Sequence, residues 1–147
     1  MNKKYYIAYG SNLNLEKMKE RCPKAKALGR GEIKGLELLL KGEKDNAYLT
    51  IEECEGGSVP IGVWEVTRSD EEALDKYEVF PNLYYKKDMN ISYIDFEGKE
   101  ERVTAFVYIM REENPKSLPN EEYMKVCIKG YEDFGFDPKG LRDLWER

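Results

Sequence analysis

The 147-residue sequence predicts one α+β domain built on a mixed or closed β-sheet. Short segments rich in β-branched and aromatic residues follow one another, with helical segments inserted between them. An α/β protein would instead alternate strand and helix regularly. The length is that of one average domain, and a hydrophobic content of 41% suffices for one core without disulfides or metals. We therefore expect residues 1–147 to form a single domain.

The N-terminal half begins with a strand, a loop and a helix. Lys4 to Ala8 is aromatic and β-branched and stops at a cluster of turn-forming residues, which predicts a strand and then a loop. From Leu15 to Cys22 apolar residues recur at helical spacing, with Asn12 or Asn14 as the N-cap. Three strand-like segments follow: Leu36 to Leu40, Ala47 to Ile51 and Pro60 to Val66. Gly42, Gly56-Gly57 and charged stretches separate them, so we expect the strands to break there.

The C-terminal half adds three helices and a hairpin. Ser69 and Glu72 have the spacing of a capping box, which predicts a helix from about Asp70 to Tyr77. Asp95 to Gly98 is typical of a hairpin turn. The remaining elements are strands at Tyr84 to Ile94 and Arg102 to Met110, a charged loop at Arg111 to Pro119, and helices at Glu121 to Phe134 and Pro138 to Trp145.

Composition excludes several functional classes. The chain carries 24 basic and 29 acidic residues, a net charge of -5, so it lacks a positive field for nucleic acid or anionic lipid. No apolar run approaches the roughly 20 residues that cross a bilayer, and the apolar Tyr5 to Tyr9 is too short for a secretory leader. Cys22, Cys54 and Cys127 leave one thiol unpaired in any disulfide scheme. We expect a cytoplasmic protein without nucleic-acid or membrane partners, whose oligomeric state the sequence does not define.

The absence of histidine restricts the chemistry further. Ser-His-Asp, Cys-His and HExxH sites are excluded, and a general base is then most readily a carboxylate, with Lys, Tyr or water as lesser candidates. The sequence has no GxxxxGK[ST] motif, and Gly29-Arg30-Gly31 lacks the third glycine of a dinucleotide-binding motif. We therefore expect neither a metal nor a nucleotide cofactor.

Two segments are candidates for a functional site. The turn Tyr9, Gly10, Ser11 and Asn12 ends a buried strand and leads into a helix, which leaves backbone N–H groups free for a carboxylate or an oxyanion. An ordinary capped turn uses the same residue types. Glu78 follows the helix and precedes the apolar segment 79–81, so we expect its pKa to be raised, as a carboxylate base requires. The alternative is a solvated glutamate at a helix end.

Tyrosine is enriched, with eleven tyrosines against five phenylalanines and two tryptophans. Its ring is apolar and its tip is polar, so tyrosines can wall a pocket and still offer hydroxyls to a polar ligand. The alternative is that they are half-buried strand residues. The candidates for a pocket wall are Tyr9, Tyr85, Tyr108 and Tyr123.

Four segments of this chain carry a family resemblance: Tyr6 to Leu13, Gly62 to Val66, Leu74 to Glu78 with Tyr85 seven residues later, and Pro119 to Tyr123 with Gly130 after it. In their order and separations they resemble the γ-glutamylcyclotransferase family (AIG2-like). The short YGSN segment alone is only suggestive. All four segments at these separations make a specific signal that covers nearly the whole chain.

The resemblance implies a β-barrel with flanking α-helices and a reaction that cyclises a γ-glutamyl amide or amino acid to 5-oxoproline, with release of the free amine. It places Glu78 on the family's catalytic glutamate, Tyr123 on a substrate-contacting tyrosine, and Tyr85 and Tyr108 on pocket positions. The implied ligand is a small γ-glutamyl molecule, and no cofactor is required. The loop that holds the γ-glutamyl group through its backbone amides corresponds to Tyr9, Gly10, Ser11, Asn12 and Leu13.

The chain departs from the family pattern at Val79, where glycine often follows the glutamate. Because a β-branched residue disfavours positive φ, we expect a displaced backbone at Glu78. One alternative is a non-catalytic module that binds γ-glutamyl or related small anionic ligands. Another is a deprotecting enzyme that removes a γ-glutamyl group from a larger amine. The acidic stretch Glu52 to Glu55 would attract such an amine, although acidic loops are more often solvated surface.

Overall fold

A computed structural model describes residues 3–146 and shows a closed β-barrel flanked by helices. Along these residues the elements are β1 (Lys4–Ala8), a 3₁₀ turn (Ser11–Leu13), α1 (Leu15–Arg21), β2 (Lys26–Glu43), β3 (Asn46–Val66), α2 (Arg68–Tyr77), β4 (Tyr84–Asp95), β5 (Glu100–Met110), α3 (Glu121–Asp133) and α4 (Lys139–Glu146). Around the barrel the strands follow the order β1-β3-β2-β4-β5.

The barrel closes through its one parallel strand pair among the described residues, in which Tyr6 of β1 pairs with Phe106 of β5. The pairs β1-β3, β2-β3, β2-β4 and β4-β5 are antiparallel. The sheet is thus mixed and mostly antiparallel, and the predicted α+β class with a barrel and flanking helices is confirmed.

Strands β2 and β3 form one long hairpin of 18 and 21 residues, where the sequence predicts three separate strands. The pairing runs from Lys26 with Glu65 to Glu43 with Asn46, with register shifts after Ala27 and after Lys34. Gly56 takes a positive φ of 81° within β3. A bulge with such a glycine bends a strand without ending it. The expected break at Gly56 is therefore a bend.

The helix starts are fixed by side-chain caps. Asn14 accepts a hydrogen bond from the Lys17 N–H and begins α1, as predicted. Helix α2 begins earlier than predicted, at a capping box formed by Thr67 and Asp70. The expected box of Ser69 and Glu72 is wrong, because the side chain of Thr67 already caps the first turn.

The core lies inside the barrel and beneath the helices. Ile7, Leu49, Ile61 and Val107 are each at most 1% exposed. Strand β1 is buried from residue 6 to its end, so the turn that follows it starts inside the protein. No helix within residues 3–146 is long and apolar enough to cross a membrane.

Candidate active site

Glu78 is fixed in space by the way α2 ends. The Val79 N–H donates to the Lys76 carbonyl (3.2 Å), and the Phe80 N–H donates to the Asp75 carbonyl (2.9 Å). With Val79 at a φ of 53°, these two bonds form a Schellman motif, a helix ending that usually employs glycine. The expectation that valine would avoid this conformation and displace the backbone is therefore wrong. Glu78 is the C-cap residue of a regularly terminated helix.

The Glu78 side chain lines a cavity of about 110 Å³. Burial raises the pKa of Glu78 to about 8, and the nearby Arg21 guanidinium opposes this rise. The direction agrees with the one expected from the apolar neighbours in the sequence. Within residues 3–146 no hydrogen bond reaches the Glu78 carboxyl, so both of its oxygens are available to a ligand. A carboxyl group of this pKa accepts and returns protons close to neutral pH.

The turn after β1 lines the same cavity and contains two backbone N–H groups that have no partner among residues 3–146. The first bond of the turn runs from the Leu13 N–H to the Gly10 carbonyl (3.0 Å), so the N–H groups of Ser11 and Asn12 have no partner among residues 3–146. Ser11 and Asn12 are buried and line the cavity. Trp64 donates from Nε1 to the Asn12 carbonyl (3.1 Å) and anchors the turn to β3. Buried N–H groups without a partner favour a bound anion or carbonyl oxygen.

The cavity wall consists largely of tyrosine. Two hydroxyls donate to backbone carbonyls, Tyr9 to Tyr108 (2.7 Å) and Tyr84 to Leu49 (2.8 Å), and the Tyr108 hydroxyl donates to the Asp75 carboxylate (2.6 Å). These bonds hold the rings in place, so the wall is preorganised. The tyrosines that line the cavity are Tyr6, Tyr9, Tyr48, Tyr77, Tyr84, Tyr108 and Tyr123.

The structure brings most of the predicted site residues together, but not all of them. Leu13 is fully buried in the core and is not part of the cavity wall. Tyr85 also lies outside the wall, and its hydroxyl donates to the Glu112 carboxylate. Because side chains alternate along a strand, it is Tyr84 of β4 that faces the cavity. The predicted residues that line the cavity are Tyr9, Gly10, Ser11, Asn12, Glu78, Tyr108 and Tyr123.

Three residues of the candidate site are not identified from the sequence: Tyr6 and Tyr84, which line the cavity, and Arg21, which contacts Asn12. Arg21 donates from Nη1 to Oδ1 of Asn12, and its guanidinium lies 3.7 Å from the centre of the Tyr77 ring. Arg21 lies seven residues, or two helical turns, after Asn14, the N-cap of α1, so it is on the helix face that points toward the preceding turn. This spacing is the one feature of the sequence that could have identified it. The positions of Tyr6 and Tyr84 in the cavity wall depend on the barrel's register, which leaves no mark in the sequence.

The fold and the site define a class of small closed-barrel proteins in which one carboxyl group and a turn with free backbone N–H groups line the same tyrosine-walled cavity. Among residues 3–146, no group of three or more Cys, Asp and Glu side chains is arranged to hold a metal ion. The chain belongs to the "Gamma-glutamyl cyclotransferase, AIG2-like" family, whose family model (GGACT) matches residues 6–125.

Solved structures share this fold across almost the whole chain. A protein described as gamma-glutamyl cyclotransferase is 24% identical with a TM-score of 0.78, and the match covers 97% of this chain and 86% of that one. An uncharacterised human protein is 24% identical with a TM-score of 0.79, covering 98% and 87%. A yeast γ-glutamyl cyclotransferase specific to glutathione is 10% identical with a TM-score of 0.67, covering 99% and 95%. Among curated protein sequences, none matches this chain significantly.

Proposed function

We propose that this protein is a cytoplasmic enzyme that cyclises a γ-glutamyl amide or γ-glutamyl amino acid to 5-oxoproline and releases the free amine. The observation that carries the proposal is the Glu78 carboxyl, which lines the cavity with a pKa of about 8 and no protein hydrogen bond within residues 3–146. Membership of the family supports the cyclotransferase kind of activity.

The reaction needs one group that first removes a proton and then returns it. The substrate's α-ammonium must lose a proton before its nitrogen can attack the γ-carbonyl carbon. A new C–N bond closes the five-membered ring, and the bond between the γ-carbon and the departing nitrogen breaks. The ring nitrogen also loses a second proton, since the lactam keeps one N–H. The departing nitrogen takes up both protons and leaves as an ammonium. Glu78 accepts a proton from the attacking nitrogen and passes it to the departing nitrogen, so the carboxyl group is unchanged at the end of the cycle.

The turn after β1 supplies the complementary groups. In this scheme the N–H groups of Ser11 and Asn12 bind the substrate's α-carboxylate or the oxyanion that develops on the γ-carbonyl. Their lack of a partner among residues 3–146 supports this role. Holding the glutamyl chain by one end brings its amine toward its own γ-carbon, which replaces a chance encounter by a fixed geometry. This scheme uses no metal, nucleotide or protein nucleophile.

A binding module remains the second candidate, because the same turn could hold a γ-glutamyl ligand without turnover. The Schellman ending at Val79 removes the reason for expecting a displaced Glu78, which favours the enzyme. The third candidate, a deprotecting enzyme for a larger amine, relies on the acidic stretch Glu52 to Glu55 to attract that amine, and the structure weakens this argument. Glu52 of that stretch is paired with the ammonium of Lys41 at 2.6 Å, so its charge is already compensated.

The test is 5-oxoproline release, measured by mass spectrometry, from a panel of γ-glutamyl amides and γ-glutamyl amino acids. We expect turnover by the wild-type protein and a loss of about 100- to 10,000-fold in Glu78→Gln, because the amide cannot act as a base. Glu72→Gln is the matched control, since Glu72 is an exposed glutamate on α2 outside the cavity. Equal turnover by wild type and Glu78→Gln would refute the role of Glu78. Calorimetric binding of a γ-glutamyl compound without turnover would favour the binding module.

A further inference from the structure

The neighbours of Tyr6 determine whether its hydroxyl donates or accepts the hydrogen bond that it makes with Asn12. Arg21 donates to the amide oxygen of Asn12, and a guanidinium has donors only. The oxygen of the Asn12 amide must therefore face Arg21, and its nitrogen faces Tyr6. Asn12 Nδ2 donates to the Tyr6 hydroxyl oxygen at 2.9 Å. The Tyr6 oxygen is thus an acceptor in this bond.

The proton of the Tyr6 hydroxyl is left without a protein acceptor. Within residues 3–146, its contact with Asn12 is the one hydrogen bond that the hydroxyl makes. Tyr6 is only 3% exposed and lines the cavity that also contains Glu78. A buried hydroxyl donor requires a partner, and the cavity is where that partner can be. A ligand oxygen in the cavity would satisfy it.

Most other tyrosines of the wall differ from Tyr6 in this respect. The exception among residues 3–146 is Tyr48, whose hydroxyl also has no hydrogen bond but whose side chain is only half-buried. The Tyr77 hydroxyl shares a hydrogen bond with the Ser11 hydroxyl (3.0 Å). The hydroxyl protons of Tyr9, Tyr84 and Tyr108 are already donated to protein oxygens. The Tyr123 hydroxyl accepts from the Leu49 N–H and lies beside the Cys127 thiol. Tyr6 therefore combines complete burial with a proton that no protein atom takes up.

We propose that Tyr6 donates its hydroxyl proton in a hydrogen bond to an oxygen of the bound γ-glutamyl group, and that Asn12 and Arg21 are positioning residues that keep this donor pointed at the ligand. The proposal rests on the proposed function for the identity of the ligand. The geometry of the Arg21-Asn12-Tyr6 chain carries it independently.

The protonation state of Tyr6 suits a donor. Burial raises the pKa of Tyr6 well above its ordinary value, and the nearby Glu78 raises it further. The hydroxyl therefore keeps its proton throughout the pH range in which Glu78 titrates. The ring is held by its neighbours Phe106 (5.3 Å between ring centres) and Tyr108 (5.9 Å), so Tyr6→Phe removes the donor and leaves the aromatic packing.

The first test compares Tyr6→Phe with wild type in 5-oxoproline release. We expect kcat/KM to fall about 10- to 100-fold, the range for a lost hydrogen bond to a charged or developing charged group. Tyr131→Phe is the matched control, because Tyr131 is a buried tyrosine outside the cavity whose hydroxyl has no partner among residues 3–146. We expect wild-type kcat/KM for that control. A kcat/KM of Tyr6→Phe within threefold of the control would overturn the proposal.

The second test examines the positioning role through coupling. In Asn12→Asp both side-chain oxygens accept, so the Tyr6 hydroxyl turns to donate to the aspartate and no longer faces the ligand. We expect Asn12→Asp to lower kcat/KM at least tenfold, and Tyr6→Phe added to it to cause little further loss. Full multiplicative losses in the double variant would show independent roles and overturn the positioning claim. Urea unfolding of each variant separates these effects from loss of structure.

Binding of the product separates this proposal from the proposed function. Calorimetry with 5-oxoproline needs no turnover, so it can be read even if the wild-type protein releases no product. Absence of turnover would refute the proposed function. Weaker binding of 5-oxoproline to Tyr6→Phe than to wild type would still support the donor role of Tyr6. Equal binding by the two proteins, or no binding to wild type, would overturn it.

Discussion

At the scale of single residues, the proposed reaction depends on how tightly Glu78 holds its proton. The two local influences on its pKa act in opposite directions: burial disfavours the carboxylate, and the Arg21 guanidinium favours it. Burial is the stronger influence, so the pKa lies above the ordinary glutamate value. A base with such a pKa is largely protonated below pH 8 and becomes active as the pH rises.

The pH dependence of kcat/KM should therefore have an ascending limb near pH 8. Glu78 acts as a base only without its proton, so activity is lost as the pH falls below its pKa, which is about 8 in the free protein. The measurement is kcat/KM for 5-oxoproline release from pH 5 to pH 10. A flat profile between pH 5 and pH 7 would contradict the assignment of Glu78 as the base.

Replacing Arg21 should move that limb in a known direction. Arg21 lowers the pKa of Glu78, so Arg21→Met is expected to shift the ascending limb of kcat/KM to higher pH. Arg21→Lys keeps the positive charge and serves as the control, with a smaller shift. The midpoint of the limb is the quantity to compare, because the height of the profile also reflects the contact of Arg21 with Asn12. A limb at lower pH in Arg21→Met would contradict this account.

Residue-level prediction from sequence succeeds where a side chain's neighbours along the chain determine its environment. Glu78 is such a case, since the helix end and the apolar residues after it are visible in the sequence. Tyr85 is the opposite case, because a one-residue difference along a strand decides which face a side chain occupies. Tyr6 and Arg21 could not be identified because their partner is Asn12, which each of them meets only in the folded chain.

At the scale of elements, the two helices α2 and α3 end in the same motif with different residues. In α3, Gly135 takes the positive φ (79°), and the N–H groups of residues 135 and 136 bond back to Glu132 and Tyr131. In α2, Val79 takes this place at 53°. A β-branched side chain at positive φ is strained, and strain at a residue next to a candidate catalytic group is typical of functional sites.

Substituting Val79 should reveal this strain as a gain in stability. A β-branched residue at positive φ stores roughly 1–3 kcal/mol of backbone strain in the folded protein, which glycine would remove. Glycine also makes the unfolded chain more flexible, which lowers the free energy of unfolding by about 0.4–1 kcal/mol. Val79 is 50% exposed, so little burial is lost. We expect Val79→Gly to raise the free energy of unfolding in urea by about 1 kcal/mol. Val79→Ala, which keeps a β-carbon, should gain less, and a destabilised Val79→Gly would show that the valine is not strained.

The sequence predicts the ends of elements well where a helix cap or a turn determines them locally. It predicts them less well where strand pairing continues through a residue that usually ends a strand. Asn14 and the strand Lys4–Ala8 are where the sequence places them. The long hairpin of β2 and β3 is different, since Gly56 looks like a strand break but lies at a bend within β3. Glycine permits both outcomes, and only the partner strand decides between them.

At the scale of the whole molecule, barrel closure brings the parts of the site together. The turn 9–12 follows β1, Glu78 follows α2, Tyr108 lies on β5 and Tyr123 lies on α3. These segments are far apart in sequence, and they line one cavity because β1 pairs with both β3 and β5. The barrel also closes on its other side, through the short pairing of β2 with β4 at Gly29 and Arg30.

The pairing of β2 with β4 depends on the absence of a side chain at residue 29. A β-carbon on Gly29 would lie 2.1 Å from the Ile94 carbonyl oxygen, which is a backbone atom and cannot move aside without separating the strands. We expect Gly29→Ala to lower the free energy of unfolding by about 2–3 kcal/mol, as overpacking of a tight contact does. Urea unfolding followed by tryptophan fluorescence measures this. Gly140→Ala is the control, because a β-carbon at that position in α4 meets nothing within 4 Å, and its stability should stay the same or rise by up to about 1 kcal/mol. If Gly29→Ala unfolded at the same urea concentration as Gly140→Ala, the contact between β2 and β4 would not contribute to closing the barrel.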